Sequence, residues 1–251
     1  MVPSKLPKSF TLGGFQDPVE YDPKHPFHDE PYTLRSIEIQ SADWFGKDKL
    51  GFVKLKAVIR NSKPKSDLPG IAFLRGGSVA MLMILRPKDS RDKRWVVMME
   101  RPPVPAGSLA FWEIPLGMVD KSGTFTGAAA KEIHEETGLK IPAGELIDLT
   151  ALALQDSRRL ESKSLQQAMY PSPGGSDEFI PIFYGRRKEL ITLRVCDYED
   201  LWREGARDAK TLAAWALYEG LNRSGVIQEE LVHRRKTHRS QPSQNEPDGT
   251  V

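Results

Sequence analysis

A chain of 251 residues is long enough for one good-sized domain with additions, or for two small ones. Hydrophobic residues at 39% and charged residues at 28% strike an ordinary globular balance, and a net charge of +2 gives no electrostatic case for nucleic acid or a membrane surface as partner. The lone cysteine, Cys196, excludes an internal disulfide framework, and no apolar run approaches the roughly 18 residues that cross a bilayer.

Residues 1–32 carry Pro18, Pro23, Pro26 and Pro31 among charges and are expected to form an extended N-terminal segment. Within it, residues 1–10 hold two lysines and no apolar core, which argues against a secretory signal. With a single cysteine this points to a cytoplasmic protein, an organelle-targeted form being the alternative. Strands are predicted over 34–40 and 51–60. In the second, Phe52, Val53, Leu55, Ala57, Val58 and Ile59 are punctuated by Lys54 and Lys56, an alternation suited to a half-buried antiparallel sheet. The turn-rich connector 61–70, with Pro64, Pro69 and Gly70, closes a small β-domain placed at 33–70.

From Ile71 the pattern changes. Apolar runs over 78–85 and 95–99, separated by the charged turn 86–94, read as a central hairpin. Glu113 and Pro115 lead to Gly117, and a helix is predicted over 127–137, stopped by Gly138. An apolar stretch over 146–154, a Pro-Gly loop over 171–175 and a strand over 179–184 follow. Cys196 ends a strand-like run from 191 and reads as a buried, inert thiol. A last amphipathic helix over 209–222 sets Leu212, Trp215, Leu217, Tyr218 and Leu221 on its apolar side, with Gly225 as its stop. The domain carrying the chemistry is expected over 71–225, and 226–251 as a polar tail without structure.

On the predicted helix, Glu132 shares a face with Glu135 and Glu136, three and four residues on. Carboxylates so clustered repel one another unless a cation neutralises them. Hard oxygen ligands, without thiolates or paired histidines, point to Mg²⁺ or Mn²⁺ rather than zinc. Taken alone, the trio is equally well read as an acidic face in solvent.

The surrounding segment, 117–139, resembles the Nudix signature, Gly-x5-Glu-x7-Arg-Glu-U-x-Glu-Glu-x-Gly-U with U apolar. Gly117, Glu132, Ile133, Glu135, Glu136, Gly138 and Leu139 stand on its fixed positions. Lys131 replaces the arginine and Gly123 the first glutamate, departures that bear on bracing of the loop rather than on the metal. The resemblance implies an α/β protein of the Nudix fold, an α/β/α sandwich with a mixed central sheet, here preceded by the small antiparallel β-domain. It also implies Mg²⁺, with Mn²⁺ as substitute, held by Glu132 and Glu136 with help from Glu135 and the Leu116 carbonyl. Glu135 and Glu136 are accordingly catalytic candidates.

Beyond the signature, residues 43–47, 51–57 and 171–178, together with Leu201-Trp202-Arg203 and Asp208-Ala209-Lys210, are similar to the ADP-sugar and ADP-ribose pyrophosphatase branch, in particular plant-type ADP-sugar diphosphatases. That likeness implies hydrolysis of a nucleoside-diphosphate sugar, of ADP-ribose or ADP-glucose type, to AMP and a sugar phosphate. Ser172 and Glu178 would contact substrate, and Glu178 is a further catalytic candidate. Arg75 and Glu113 are pocket candidates, and Arg101 stands in for an arginine that relatives carry where this chain has Pro103. Trp44 and Phe45 offer an aromatic surface for adenine, an ordinary core role being the equal alternative. Relatives pair through the N-terminal β-domain, which implies a homodimer. Against full activity stands the short segment 184–191, where Glu189 is the only carboxylate and relatives bring a glutamate over the metals. With Lys131, Gly123 and Pro103, it leaves a second reading: a slow or degenerate Nudix domain that binds a nucleotide sugar or a protein. A third, RNA-cap processing by the basic tail 223–239, is opposed by Glu229 and Glu230 inside it.

Overall fold

Alternation of lysine with branched and aromatic residues makes the first sheet. In the computed structural model, strands β1 (Thr33–Phe45), β2 (Lys49–Arg60) and β3 (Ile71–Leu74) form a three-stranded antiparallel sheet in that order. The structure describes residues 30, 32–47, 49–63, 67–87, 90, 92–118, 125–137, 141–155, 165–187 and 194–240. One face of β2 is buried at Val53, Leu55, Ala57 and Ile59 and is packed by Leu68, Ala72 and Leu74. The expected boundary at 70 therefore falls one strand early. Ala72 and Leu74 alternate in phase with β2, and pairing with β2 from Lys56–Ile71 to Val53–Leu74 places β3 in the N-terminal sheet.

The second sheet is organised by β4 (Ser78–Leu85), buried at all eight positions. A strand covered on both faces has no reason to alternate polar and apolar residues. Its neighbours are β5 (Trp95–Val97), β8 (Leu116–Met118) and β10 (Ile182–Arg187). Along one side β8 pairs antiparallel with the first half of β4 and β5 with its end; along the other, β10 runs parallel. The outer strands are β9 (Ile147–Asp148), beside β10, and β11 (Val195–Asp197), beside β5. A separate hairpin, β6 (Met99–Arg101) with β7 (Phe111–Glu113), stands alongside.

Helices cover both faces. Val79, Met81, Met83 and Leu85 pack against Ala128 and Ala129 of α1 (Phe125–Thr137). The alternate residues Ala80, Leu82 and Ile84 share a core with Ala214, Tyr218 and Leu221 of α4 (Ala209–Arg223). The result is the expected α/β/α sandwich with a mixed sheet, preceded by an antiparallel one. Two short helices, α2 (Leu149–Leu154) and α3 (Leu201–Glu204), complete the flanks.

The expectation of an unstructured tail from 226 is corrected. The chain continues as α5 (Val226–Ser240), with Ile227 in the core beside Leu221. Arg234 explains how so polar a segment is held. Its guanidinium donates to the carbonyls of Gly144 (2.9 Å) and Leu146 (2.6 Å) and pairs with Glu230 one turn back. Composition registers the charge but not the carbonyls waiting for it.

Candidate active site

The first three residues of β4 form the spine of the site. On one side Ser78, Val79 and Ala80 pair with Met118, Gly117 and Leu116. On the other, the Ser78 amide donates to the Phe179 carbonyl (3.0 Å) and that of Ala80 to Pro181 (3.1 Å). The signature glycine and the run after the Pro-Gly loop are thus separated by a single strand. Helix α1 packs on β4 and β8, and its first ring, Phe125, meets Phe179 edge-on at 5.8 Å. The backbone of α1 is helical through 132, 135 and 136, which puts these positions on one face. The side chains of Glu132, Glu135 and Glu136 lie outside the described residues, as does Glu189. Among the described residues no three His, Cys, Asp or Glu side chains gather as a metal cluster. The donor set that the backbone brings to this edge, three carboxylates on one helix beside a strand carrying the Leu116 carbonyl, is all hard oxygen and fits Mg²⁺ or Mn²⁺.

The loop 171–178 is built into the site by backbone bonds. Its turn closes when the amides of Gly175 and Ser176 donate to the Ser172 carbonyl, at 3.1 and 2.9 Å. It then docks on β3, the Phe73 amide donating to the Gly175 carbonyl at 2.8 Å. Asp177 Oδ1 accepts from the amides of Arg75 (2.8 Å) and Gly76 (3.2 Å). That geometry demands glycine twice. Gly76 has φ of 79°, and a Cβ on Gly77 would run into the ring of Phe179. The consequence is a charged cluster: the Glu178 carboxylate, buried, accepts from Ser78 Oγ at 3.1 Å, and Arg75 Nη1 lies 3.4 Å from the same oxygen. Two of the predicted residues, Arg75 and Glu178, are therefore brought together from positions about a hundred apart.

The other predicted residues are distributed differently. Ser172 is exposed on the loop. Trp44 is exposed at the tip of the first hairpin, while an aromatic ladder of Phe45, Phe52 and Phe73, with centroids 5.1 and 5.3 Å apart, leads back to Arg75, 6.0 Å from the Phe52 ring. Arg101 is half-exposed, 3.8 Å from Glu113. Glu113 is held from behind: Lys210 Nζ donates to its Oε2 (2.5 Å) and to Asp208 Oδ1 (2.8 Å). Thr211 donates to Asp208 Oδ2 (2.5 Å) and accepts from the Ile114 amide (3.1 Å).

Phe52, Phe73, Ser78, Asp177, Lys210 and Thr211 were not among the residues expected to build the site. A signal existed for Lys210. A cation in the first turn of a helix opposes the macrodipole, which implies partners elsewhere. The rest required knowing which strands are neighbours.

The far edge of the central sheet carries the perturbed groups. Burial pushes the Cys196 thiol up to about 11, with Glu204, Asp200 and Asp197 adding to it, so the inert reading holds. Burial and the bond its hydroxyl gives to Glu219 push Tyr198 upward too. Arg94 rests over the Tyr198 ring at 3.9 Å; burial lowers its value, but the bond to Glu199 outweighs this and raises it.

Comparison with known proteins agrees with this geometry. The NUDIX domain family matches residues 75–215, more than half of the chain. The Arabidopsis thaliana protein "Nudix hydrolase 14, chloroplastic" is 34% identical over 220 residues, covering 79% of this chain and 67% of that protein. A solved structure titled "Crystal structure of ADP compounds hydrolase" covers 77% of this chain and 98% of its own at 14% identity and a TM-score of 0.45, a likeness too low to carry an argument. With the family matching across the sheet, the signature helix and the 171–178 loop alike, the chain belongs to the Nudix hydrolase family.

Proposed function

We propose that the protein hydrolyses the diphosphate bond of a nucleoside-diphosphate sugar, of ADP-ribose or ADP-glucose type, giving AMP and a sugar phosphate with Mg²⁺ or Mn²⁺ as cofactor. The observation that carries this reading is the placement of Glu178, with Ser78 and Arg75, one strand away from Leu116 and Gly117. Glu132, Glu136 and Glu135, with the Leu116 carbonyl, would hold the cation. When bound, it supplies Lewis-acid polarisation of the diphosphate and activation of the attacking water. Arg75, Ser172 and Arg101 bind the substrate's phosphates and sugar, and Trp44 with the Phe45–Phe52–Phe73 ladder offers the base a stacking surface. Ser78 and Arg75 both engage Oε1 of Glu178, which fixes the carboxylate's orientation and makes its other oxygen, Oε2, the candidate to receive a proton from the attacking water.

Homodimerisation belongs to the same proposal. Leu34 and Ile37 of β1 lie opposite the buried Ile59 and Ala57 of β2 yet are 40% and 37% exposed, so the apolar row of β2 runs on into solvent until a second copy covers it. No helix among the described residues is long and apolar enough to cross a membrane. Between cytoplasm and an organelle, the chloroplastic designation of the relative favours the organelle, and a fluorescent fusion to the full chain decides.

The test is a turnover panel over ADP-ribose, ADP-glucose, UDP-glucose, ATP, dGTP and capped RNA, with Mg²⁺ or with chelator, in which AMP, sugar phosphate and the other products are separated by chromatography. ADP-sugars are expected to give the highest kcat/KM, chelator to abolish turnover, and Glu136→Gln to remove most activity by deleting a charge while keeping volume. A triphosphate at the top of the panel would refute the ADP-sugar assignment. No turnover at all, with ADP-ribose still bound, would make this a binding module.

A further inference from the structure

We propose that Thr211 and Lys210, in the first turn of α4, are positioning residues for this site: they set the backbone corner 113–117 that presents the Leu116 carbonyl to the cation. The inference rests on the metal site proposed above. The corner is held from two sides. On its inner side the Met81 amide donates to the Pro115 carbonyl at 2.9 Å, and Leu116 and Gly117 pair with Ala80 and Val79. Ile114, fully buried between β7 and β8, has its amide outside both ladders, and its partner is Thr211 Oγ1 at 3.1 Å. Thr211 donates its own proton to Asp208 Oδ2, and Asp208 Oδ1 accepts from Lys210, whose ammonium also takes Glu113 Oε2. Arg101, Glu113, Lys210 and Asp208 thus form a chain of alternating charge, from a half-exposed arginine to a buried aspartate.

A staple whose only task was to hold α4 on the sheet would be served as well by apolar side chains, because buried ion pairs add little net stability over them. This network ends instead on a backbone amide two residues before Leu116. Removing the hydroxyl leaves that amide buried without an acceptor, and the corner must move to satisfy it. A shift of about one ångström in a cation ligand is enough to degrade a site of this kind.

The experiment compares Thr211→Val, which keeps shape and loses the hydroxyl, with Thr211→Ser, which restores it. Tyr198→Phe is the control, removing a comparable hydroxyl-to-carboxylate bond, to Glu219, toward the far end of α4. Mn²⁺ binding to the substrate-free protein is measured by electron paramagnetic resonance, with kcat and KM for ADP-ribose and the melting temperature alongside. Thr211→Val is expected to weaken Mn²⁺ binding at least fivefold and lower kcat at least tenfold, with KM within twofold. Thr211→Ser recovers both, and Tyr198→Phe lowers the melting temperature without moving either. If Thr211→Val does not fold, Lys210→Arg takes its place, a fork where a point charge sat, with the same direction expected in Mn²⁺ affinity. A folded Thr211→Val, or Lys210→Arg in its stead, with wild-type Mn²⁺ affinity overturns the proposal, as does an equal loss in Tyr198→Phe. The Mn²⁺ arm stands even if no nucleotide sugar is turned over, so failure of the substrate reading and failure of the positioning role are distinguishable. A wild-type chain that binds no Mn²⁺ overturns both.

Discussion

Strands β1 and β11 each close one side of a sheet, and their surroundings are opposite. The first runs 13 residues without a buried position, and Leu34, Ile37, Trp44 and Phe45 along it are exposed. The second is three residues long and its middle residue, Cys196, is buried. The chain itself covers β11. It turns at Asp197, whose side chain accepts from the Glu199 amide, and runs on as α3, while Tyr198 is clamped between Arg94 and Tyr218 and bonded to Glu219. Nothing among the described residues of a single copy does this for β1. Long apolar edges recruit strands from other chains, so the contrast separates an edge finished by folding from the one at which the homodimer is proposed to form.

Three measurements put that contrast at risk. The largest effect is expected at the finished edge. Tyr198→Ala removes a buried ring and a hydroxyl bond and should lower unfolding free energy by about 3–5 kcal/mol in a denaturant titration, without altering self-association. A loss below about 1 kcal/mol would mean that this edge is not held by its own chain.

Next comes the thiol. Its value rises from 9.0 to about 11 on folding, so the neutral form's contribution to stability is complete below pH 9 and disappears as the pH climbs through 11. Two pH units correspond to about 100-fold less thiolate. At pH 8, iodoacetamide should label folded Cys196 on the order of 100-fold more slowly than the urea-unfolded chain. Comparable rates would show the edge to be open.

The smallest effect is expected at β1. Ile37→Lys should leave the unfolding free energy at low protein concentration within about 0.5 kcal/mol of wild type. It should weaken dimerisation at least tenfold, about 1.4 kcal/mol, by analytical ultracentrifugation. A wild-type chain that stays monomeric at micromolar concentration would refute the dimer, and β1 would then be an unpartnered edge.

Part of the site is legible residue by residue. The helix over 127–137 can be read because an alanine run packs a helix tightly against a sheet, and three glutamates at helical spacing fall on one face, for which the resemblance to the Nudix signature implies a cation. Glu178 and Arg75 are legible only as candidates, since their 3.4 Å approach depends on a loop docking on β3 through backbone amides, which almost every residue has. The misplaced boundary at Ile71 has a similar origin. A four-residue strand carries too little alternation to announce which sheet it joins.

Local chemistry along the chain was enough for β2 with its alternating lysines, for the fully apolar strand β4, and for a helix on which positions 132, 135 and 136 share one face. These follow from periodicity. The folded arrangement alone settled that Lys210 faces Glu113, that Thr211 answers the Ile114 amide, and that Arg234 anchors α5 on two carbonyls. Each of these is a polar group satisfied by a partner about 90 residues away or more, two of them by backbone atoms. No side-chain pattern encodes where a backbone carbonyl or amide will be left unpaired, because every ladder that spares one is set by which strands become neighbours.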